Sequence, residues 1–119
     1  MNTQQVAKRL VELCRAGRDA EAQKELYAKD AISIEPREMP GSPKETKGLV
    51  AILDKGKRFH EQLESVHAAH TSEPMIAGDF FTISFALDCT MKGRGRIEME
   101  DIGVYRVAEG KIVSEQFFY

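Results

Sequence analysis

Residues Glu25 to Pro36 read ELYAKDAISIEP, and within this stretch the apolar pattern changes from helical to extended. The first half completes the apolar stripe of a helix whose start Asp19 can cap. Ile32 and Ile34 then alternate with polar residues, which is typical of a strand. Pro36 ends the strand, because proline has no N–H to donate to a neighbouring strand. The stretch therefore predicts a helix followed directly by a short strand.

Outward from this stretch, helical spacing recurs on both sides. Apolar residues predict a first helix over about 3–16, and Gly17 follows where that helix would stop. Residues 37–46 contain prolines and a glycine between charged residues and predict a loop. Apolar residues from Leu49 to Leu63 again repeat at helical spacing, so a third helix is expected over about 47–64.

Beyond Ser65 the pattern alternates with period two and is interrupted by glycine-containing turns. Strands are expected over about 66–76, 80–91, 96–107 and 111–118. Successive hairpins make the sheet largely antiparallel, and helices followed by a sheet indicate an α+β fold. With 119 residues, the chain is expected to form a single domain over residues 1–119.

Composition narrows the classes of function. The chain has 17 Lys and Arg against 19 Asp and Glu, which argues against a nucleic-acid binder. The longest strongly apolar run, Leu49 to Leu53, is far shorter than a membrane span. The start of the chain lacks the pattern of a secretory signal, so a cytoplasmic location is expected, with Cys14 and Cys89 reduced and slow to react. Three scattered histidines and two distant cysteines match no metal pattern, and no cofactor is expected.

The stretch ELYAKDAISIEP resembles the segment between the second helix and the first strand in the nuclear transport factor two-like superfamily. The ending, GKIV followed by QFFY, is similar to the last hairpin of that superfamily, and the order of predicted elements agrees over the whole chain. The small SnoaL-like proteins of this superfamily are the most similar. The resemblance implies a cone-shaped α+β barrel of the cystatin-like type, with three helices on a strongly curved, largely antiparallel sheet. It also implies an apolar pocket at the open end of the cone and a homodimer.

Glu35 is the first candidate for chemistry. It precedes Pro36 at the position where ketosteroid isomerases, which belong to the same superfamily, carry the Asp of an Asp-Pro pair as general base. A carboxylate that projects into an apolar pocket has its pKa raised toward the range in which proton transfer is efficient. The alternative is a solvated acid at the end of a strand, paired with Arg37 or a nearby Lys.

The resemblance fails at the hydrogen-bond donors of the isomerases. Leu10 and Gly103 occupy the positions where a Tyr and a protonated acid are expected, so steroid isomerisation by that mechanism is not expected. Asp101 lies two residues before Gly103 on the same strand face, which is otherwise largely apolar. Glu115 is a further candidate on the last strand. Either acid could instead face solvent.

Aromatic and imidazole side chains complete the predicted site. One apolar strand face is expected to line the pocket, although most of its members could be ordinary core residues. The candidate ligand-binding residues are His67, Phe81, Phe85, Tyr105, Phe117 and Tyr119. His67 is a candidate only if its strand turns it toward the pocket.

Two functions follow from this reading. The first is acid/base chemistry on a small hydrophobic or partly polar molecule that contains a carbonyl group or an epoxide, with Glu35 and Asp101 as proton carriers. The second is a non-catalytic module that binds a ligand or a protein. In the protein-binding version the outer sheet face, including Thr82, Ser84 and Ile102, pairs two chains.

Overall fold

Three α-helices pack on one face of a seven-stranded sheet. The structure is a computed structural model and describes residues 1–39 and 42–119. The elements, in chain order, are α1 (Thr3–Arg15), α2 (Asp19–Leu26), β1 (Tyr27–Ile34), β2 (Glu45–Lys47), α3 (Leu49–Gln62), β3 (Leu63–Thr71), β4 (Met75–Ala77), β5 (Phe80–Met91), β6 (Gly95–Ala108) and β7 (Lys111–Phe118).

The sheet is curved and open. Its strands are ordered β2-β1-β7-β6-β5-β3, and β4 pairs with β5 at the edge. All pairs are antiparallel except β1 and β7, which run parallel. The predicted α+β class, with three helices on a curved and largely antiparallel sheet, is therefore confirmed. Within the described residues the sheet is not closed, because β2 and β3 form two separate edges.

The first two strands differ from the prediction. β1 begins at Tyr27 rather than near Ile32, because Tyr27 pairs with Ile112 of β7 instead of continuing α2. β2 lies partly within the predicted loop 37–46, where pairing with β1 stabilises three residues of weak strand pattern. Pro40 and Gly41 of that loop lie outside the described residues.

The strand predicted over 66–76 is divided into β3 and β4. Pro74 lies in the interruption, and proline lacks the N–H that a continuous strand would need. The strands predicted over 80–91 and 111–118 are confirmed at both ends.

The helices cover the inner face of the sheet. α1 buries Val6, Leu10 and Leu13, and the inner face of β5 contributes Phe81 and Ile83 to the same core. The opposite, outer face of the sheet is not covered by a helix in the described part of the chain. Within residues 1–39 and 42–119, the structure contains no helix with the length and apolarity needed to cross a membrane.

Gly48 sets the direction of α3. Its φ of 93° lies in the region that glycine adopts without strain. Its N–H donates to the carbonyl oxygen of Ala31 in β1 at 2.8 Å. The start of α3 is thereby fixed to β1, so that the helix places Lys55 close to the end of that strand.

Candidate functional site

A buried carboxylate lies where β1 and β7 run side by side. Glu115 is 3% exposed and is the register partner of Ser33 across the parallel pair. Ser33 Oγ donates to Glu115 Oε2 at 2.7 Å, and the Tyr27 hydroxyl donates to Glu115 Oε1. Both carboxylate oxygens therefore have a donor, which a buried acid requires to be tolerated in the core.

Lys55 joins this group to Glu35. Lys55 Nζ donates to Ser33 Oγ at 2.7 Å and to Glu35 Oε1 at 3.1 Å. The side chains of Lys55 and Glu35 are 17% and 15% exposed. The Tyr119 hydroxyl donates to the other Glu35 oxygen at 2.9 Å, and the Arg37 guanidinium lies 5.6 Å from the centroid of the Tyr119 ring. The Glu35 carboxylate is thus largely buried and is bonded to Lys55 and Tyr119. It is neither exposed to solvent nor surrounded only by apolar side chains.

The pKa values of the buried groups reflect their surroundings. Burial raises the pKa of Glu115, while the donors Tyr27 and Ser33 and the charge of Lys55 act in the opposite direction. Burial and the charge of Glu115 hold the pKa of Tyr27 well above its usual value. Burial and the hydrogen bond to Glu35 raise the pKa of Tyr119 to about 12. All these hydroxyls are therefore donors at neutral pH.

Asp101 differs from the other two carboxyl groups. It lies on the inner face of β6 as the register partner of Phe85, and it is partly buried. In the described ranges its carboxyl has no hydrogen bond and no ion pair. Burial, followed by the charges of Glu35 and Glu115, raises its pKa to about 6. Asp101 is therefore a carboxyl group whose proton is exchangeable near neutral pH.

Tyr105 lies on the same face of β6 as Asp101. The ring is stacked on Phe81 with centroids 4.8 Å apart and meets the edge of Phe117 at 6.3 Å. The ring folds over Gly103, since a Cβ added there would lie 2.9 Å from the Tyr105 hydroxyl. Tyr105 is 3% exposed, yet its hydroxyl makes no hydrogen bond within the described residues. It is thus an unbonded donor on the inner face of β6, over Gly103, which lies two residues along the same face from Asp101.

We call Glu35, Asp101 and Glu115, together with Lys55, the carboxyl cluster. A thiol lies near it on α1: burial, followed by the charges of Asp19 and Glu115, raises the pKa of Cys14 to about 12. A thiol with so high a pKa is almost entirely protonated at neutral pH, so Cys14 is not a nucleophile. Within the described part of the chain, no group of three or more His, Cys, Asp or Glu side chains could hold a metal ion.

The structure places most of the predicted site residues on the inner face around this cluster. Phe81, Phe85, Tyr105 and Phe117 contact the core or each other, and Tyr119 contacts Glu35. His67 is separated from them. It is exposed on β3 and its Nε2 lies 2.7 Å from Thr90 Oγ1, on the outer face of the sheet. The expectation that His67 lines the pocket is therefore wrong, because its exposed side chain bonds to Thr90 instead of facing the other site residues.

Sequence reasoning missed Tyr27, Ser33 and Lys55. Tyr27 reads as part of a helical stripe, and Ser33 as an ordinary polar strand residue. Lys55 carried a weak signal: it lies three residues after the buried Ile52, on the face by which α3 packs. A charged residue on an apolar helix face is a reason to look for a buried partner.

Two concavities of the described part of the chain lie away from the carboxyl cluster. A concavity of about 460 Å³ lies beside Met1, Asp79 and Gly110, and another of about 230 Å³ lies on the outer face around Ala86. Neither is lined by the carboxyl cluster. A ligand at the cluster would approach from the open end of the sheet, where Asp101 and Tyr119 are partly exposed.

A family model described as a SnoaL-like domain matches residues 1–119. The chain belongs to the SnoaL-like family. A solved structure from Mesorhizobium loti, described as a SnoaL-like polyketide cyclase and a carbohydrate phosphatase, is 33% identical to this SnoaL-like protein. The match covers 100% of both chains, with a TM-score of 0.92.

Two more distant structures share the fold. One, from Xanthomonas campestris, is described as a protein of unknown function with a cystatin-like fold. It is 19% identical, with a TM-score of 0.82, and the match covers 99% of the SnoaL-like protein and 90% of that chain. The other, from Catenulispora acidiphila, has a ketosteroid isomerase-like fold and was solved in complex with trimethylamine. It is 20% identical, with a TM-score of 0.73 and coverage of 96% and 84%. No curated protein matches the chain.

Proposed function

We propose that this SnoaL-like protein binds a small, partly apolar organic molecule at the carboxyl cluster and exchanges a proton with it through Asp101. The observation that carries the proposal is the pair of unbonded groups on the inner face of β6. The Asp101 carboxyl and the Tyr105 hydroxyl have no partner within the described residues, whereas Glu35 and Glu115 have both oxygens occupied. A ligand would complete the hydrogen bonding of the unbonded pair.

The chemistry suits a substrate with a carbonyl group or an epoxide. At pH 7 most of the Asp101 population is ionised and can remove a proton from carbon next to a carbonyl, after which the protonated acid can return it. Negative charge then develops on the carbonyl oxygen, and the Tyr105 hydroxyl can donate to that oxygen. On an epoxide, the protonated form of Asp101 would supply the proton to the oxygen as its C–O bond breaks, while a water molecule or a hydroxyl group of the substrate forms the new bond to carbon. Glu35 and Glu115 act on this step through their charges.

The family supports the same class of function, since the Mesorhizobium loti relative is described as a polyketide cyclase. A second candidate, a non-catalytic module that acts as a homodimer, is favoured by a different observation. Ile102 and Phe118 are register partners on the outer face, and both side chains are about half exposed. We propose that this face pairs two chains.

The cytoplasmic location remains a prediction from the sequence.

The test of the acid/base function uses ketones and epoxides as probes. Wild type is mixed with cyclohexanone, 2-cyclohexenone and styrene oxide, and binding is measured by ligand-observed NMR. Deuterium uptake at the carbons next to the carbonyl is followed in D2O. We expect wild type to accelerate uptake and Asp101→Asn to lose at least about tenfold of that acceleration. Glu98→Gln, an exposed acid on the opposite face of β6, is the control.

Equal uptake with wild type and Asp101→Asn would exclude Asp101 as the proton carrier. If the probes bind without any uptake, the non-catalytic function is supported instead.

A further inference from the structure

Lys55 occupies a position that an exposed helix lysine would not. It lies one turn after the buried Ile52, and its side chain reaches Ser33 of β1 and Glu35, which directly follows that strand. Its neighbour Lys57 on the same helix is exposed, as lysines usually are. Burying most of a lysine is costly unless its charge is matched, so the contacts of Lys55 are specific to this site.

The contacts of Lys55 are unequally distributed over the three acids. It pairs directly with Glu35 at 3.1 Å. It reaches Glu115 through Ser33, whose hydroxyl accepts from Lys55 and donates to Glu115. The positive charge of Lys55 lowers the pKa of Glu115, against the effect of burial. Asp101 receives no bond from Lys55, and only burial and negative charges act on it.

We propose that Lys55 is a positioning residue, which holds Glu35 directly and Glu115 through Ser33 and so leaves Asp101 as the carboxyl that is free to exchange the proton. The inference rests on the proposed function, because it explains why one acid of three is the carrier. The negative charges of Glu35 and Glu115 raise the pKa of Asp101, which helps it to take up the proton during transfer.

Charged and titratable groups from every neighbouring element take part in this balance. They are Tyr27, Glu35 and the following Arg37 from β1 and its loop, Lys55 from α3, Asp101 and Tyr105 from β6, Glu115 and the following Tyr119 from β7, and Cys14 and Asp19 from the first two helices.

The experiment is a carboxyl-resolved ¹³C NMR titration of the full chain without ligand. Lys55→Met removes the charge and keeps a similar length, and Lys57→Met is the matched control. In Lys55→Met we expect the titration midpoint of Glu115 to rise by about 1 pH unit and that of Asp101 to move with it, because the acids become coupled. Lys55→Arg retains the charge and should restore the wild-type order. Unchanged Glu115 and Asp101 midpoints in Lys55→Met would overturn the proposal.

A second variant covers the case in which Lys55→Met does not fold. Lys55→Gln removes the charge but keeps a polar group that can donate to Ser33. It should raise the Glu115 midpoint, and an unchanged midpoint would again overturn the role of Lys55. The deuterium-uptake assay is independent of these titrations. A failure of the Lys55 proposal is therefore distinguishable from a failure of Asp101 as proton carrier.

Discussion

At the scale of the residue, Asp101 links the stability of the fold to pH. Its pKa of about 6 in the folded chain exceeds the value of roughly 3.9 expected when unfolded. The folded chain therefore holds this proton more tightly. The resulting stabilisation is complete below about pH 4 and is lost as pH rises through 6.

Asp101→Asn should accordingly stabilise the fold at pH 8 by on the order of 1 kcal/mol, a value reduced for solvent screening because the carboxyl is only partly buried. The gain should vanish at pH 4, where the wild-type acid is neutral as well. Urea unfolding of wild type and Asp101→Asn at pH 4 and at pH 8 measures this difference in the free energy of unfolding. Destabilisation at pH 8 would show that Asp101 has a favourable partner when ionised.

Thr46 is a second polar group without a partner in the described part of the chain, and it is uncharged. It lies on β2 opposite Ser33, and its hydroxyl is buried and unbonded within the described residues. Thr46→Val keeps the shape and removes the unsatisfied hydroxyl, so we expect the free energy of unfolding to rise by about 1 kcal/mol. Ser33→Ala should do the reverse and lower it by about 1–3 kcal/mol, because Glu115 loses a donor. A loss of stability in Thr46→Val would mean that its hydroxyl is bonded.

At the scale of the element, β6 has a glycine at position 103, where the Tyr105 side chain leaves no room for a larger residue. A Cβ at Gly103 would come within 3.1 Å of the Tyr105 ring and 2.9 Å of its hydroxyl. The ring cannot retreat easily, since it is buried between Phe81 and Phe117. We therefore expect Gly103→Ala to destabilise the fold by about 1–3 kcal/mol, as overpacking does. The NMR resonances of Tyr105 should also shift in this variant. Unchanged stability would show that the ring moves freely.

The element scale also separates what the sequence could reveal from what it could not. Period-two alternation and glycine turns are local signals, so β5 and β7 were predicted at both ends. Strand parity likewise indicated that Asp101 and Glu115 share the inner face. The pairing of β1 with β7 joins residues over 80 positions apart, as in the Ser33–Glu115 contact, and no local pattern encodes it. Ser33, Tyr27 and Lys55 become site residues only through that pairing and the direction of α3.

At the scale of the whole molecule, the outer face of the sheet is the surface that the helices leave open. Ile102 and Phe118 are adjacent on this face and are 49% and 50% exposed. Contiguous exposed apolar side chains on a sheet are typical of an interface between protein chains. A second copy of the chain can cover them by the same face, since a twofold interface is self-complementary.

We therefore expect wild type to be a dimer at micromolar concentration and Ile102→Lys to be a monomer, because the variant would bury two unpaired ammonium groups close together at the centre of the interface. Val50→Lys is the matched control: Val50 is an equally apolar residue, 83% exposed, but it lies on α3 away from the outer face. Light scattering after gel filtration distinguishes the chain mass of 13.4 kDa from twice that value. A monomeric wild type would refute the interface, and so would an Ile102→Lys variant that remains dimeric. Neither result would affect the carboxyl cluster, since Asp101 lies on the opposite face of the same strand.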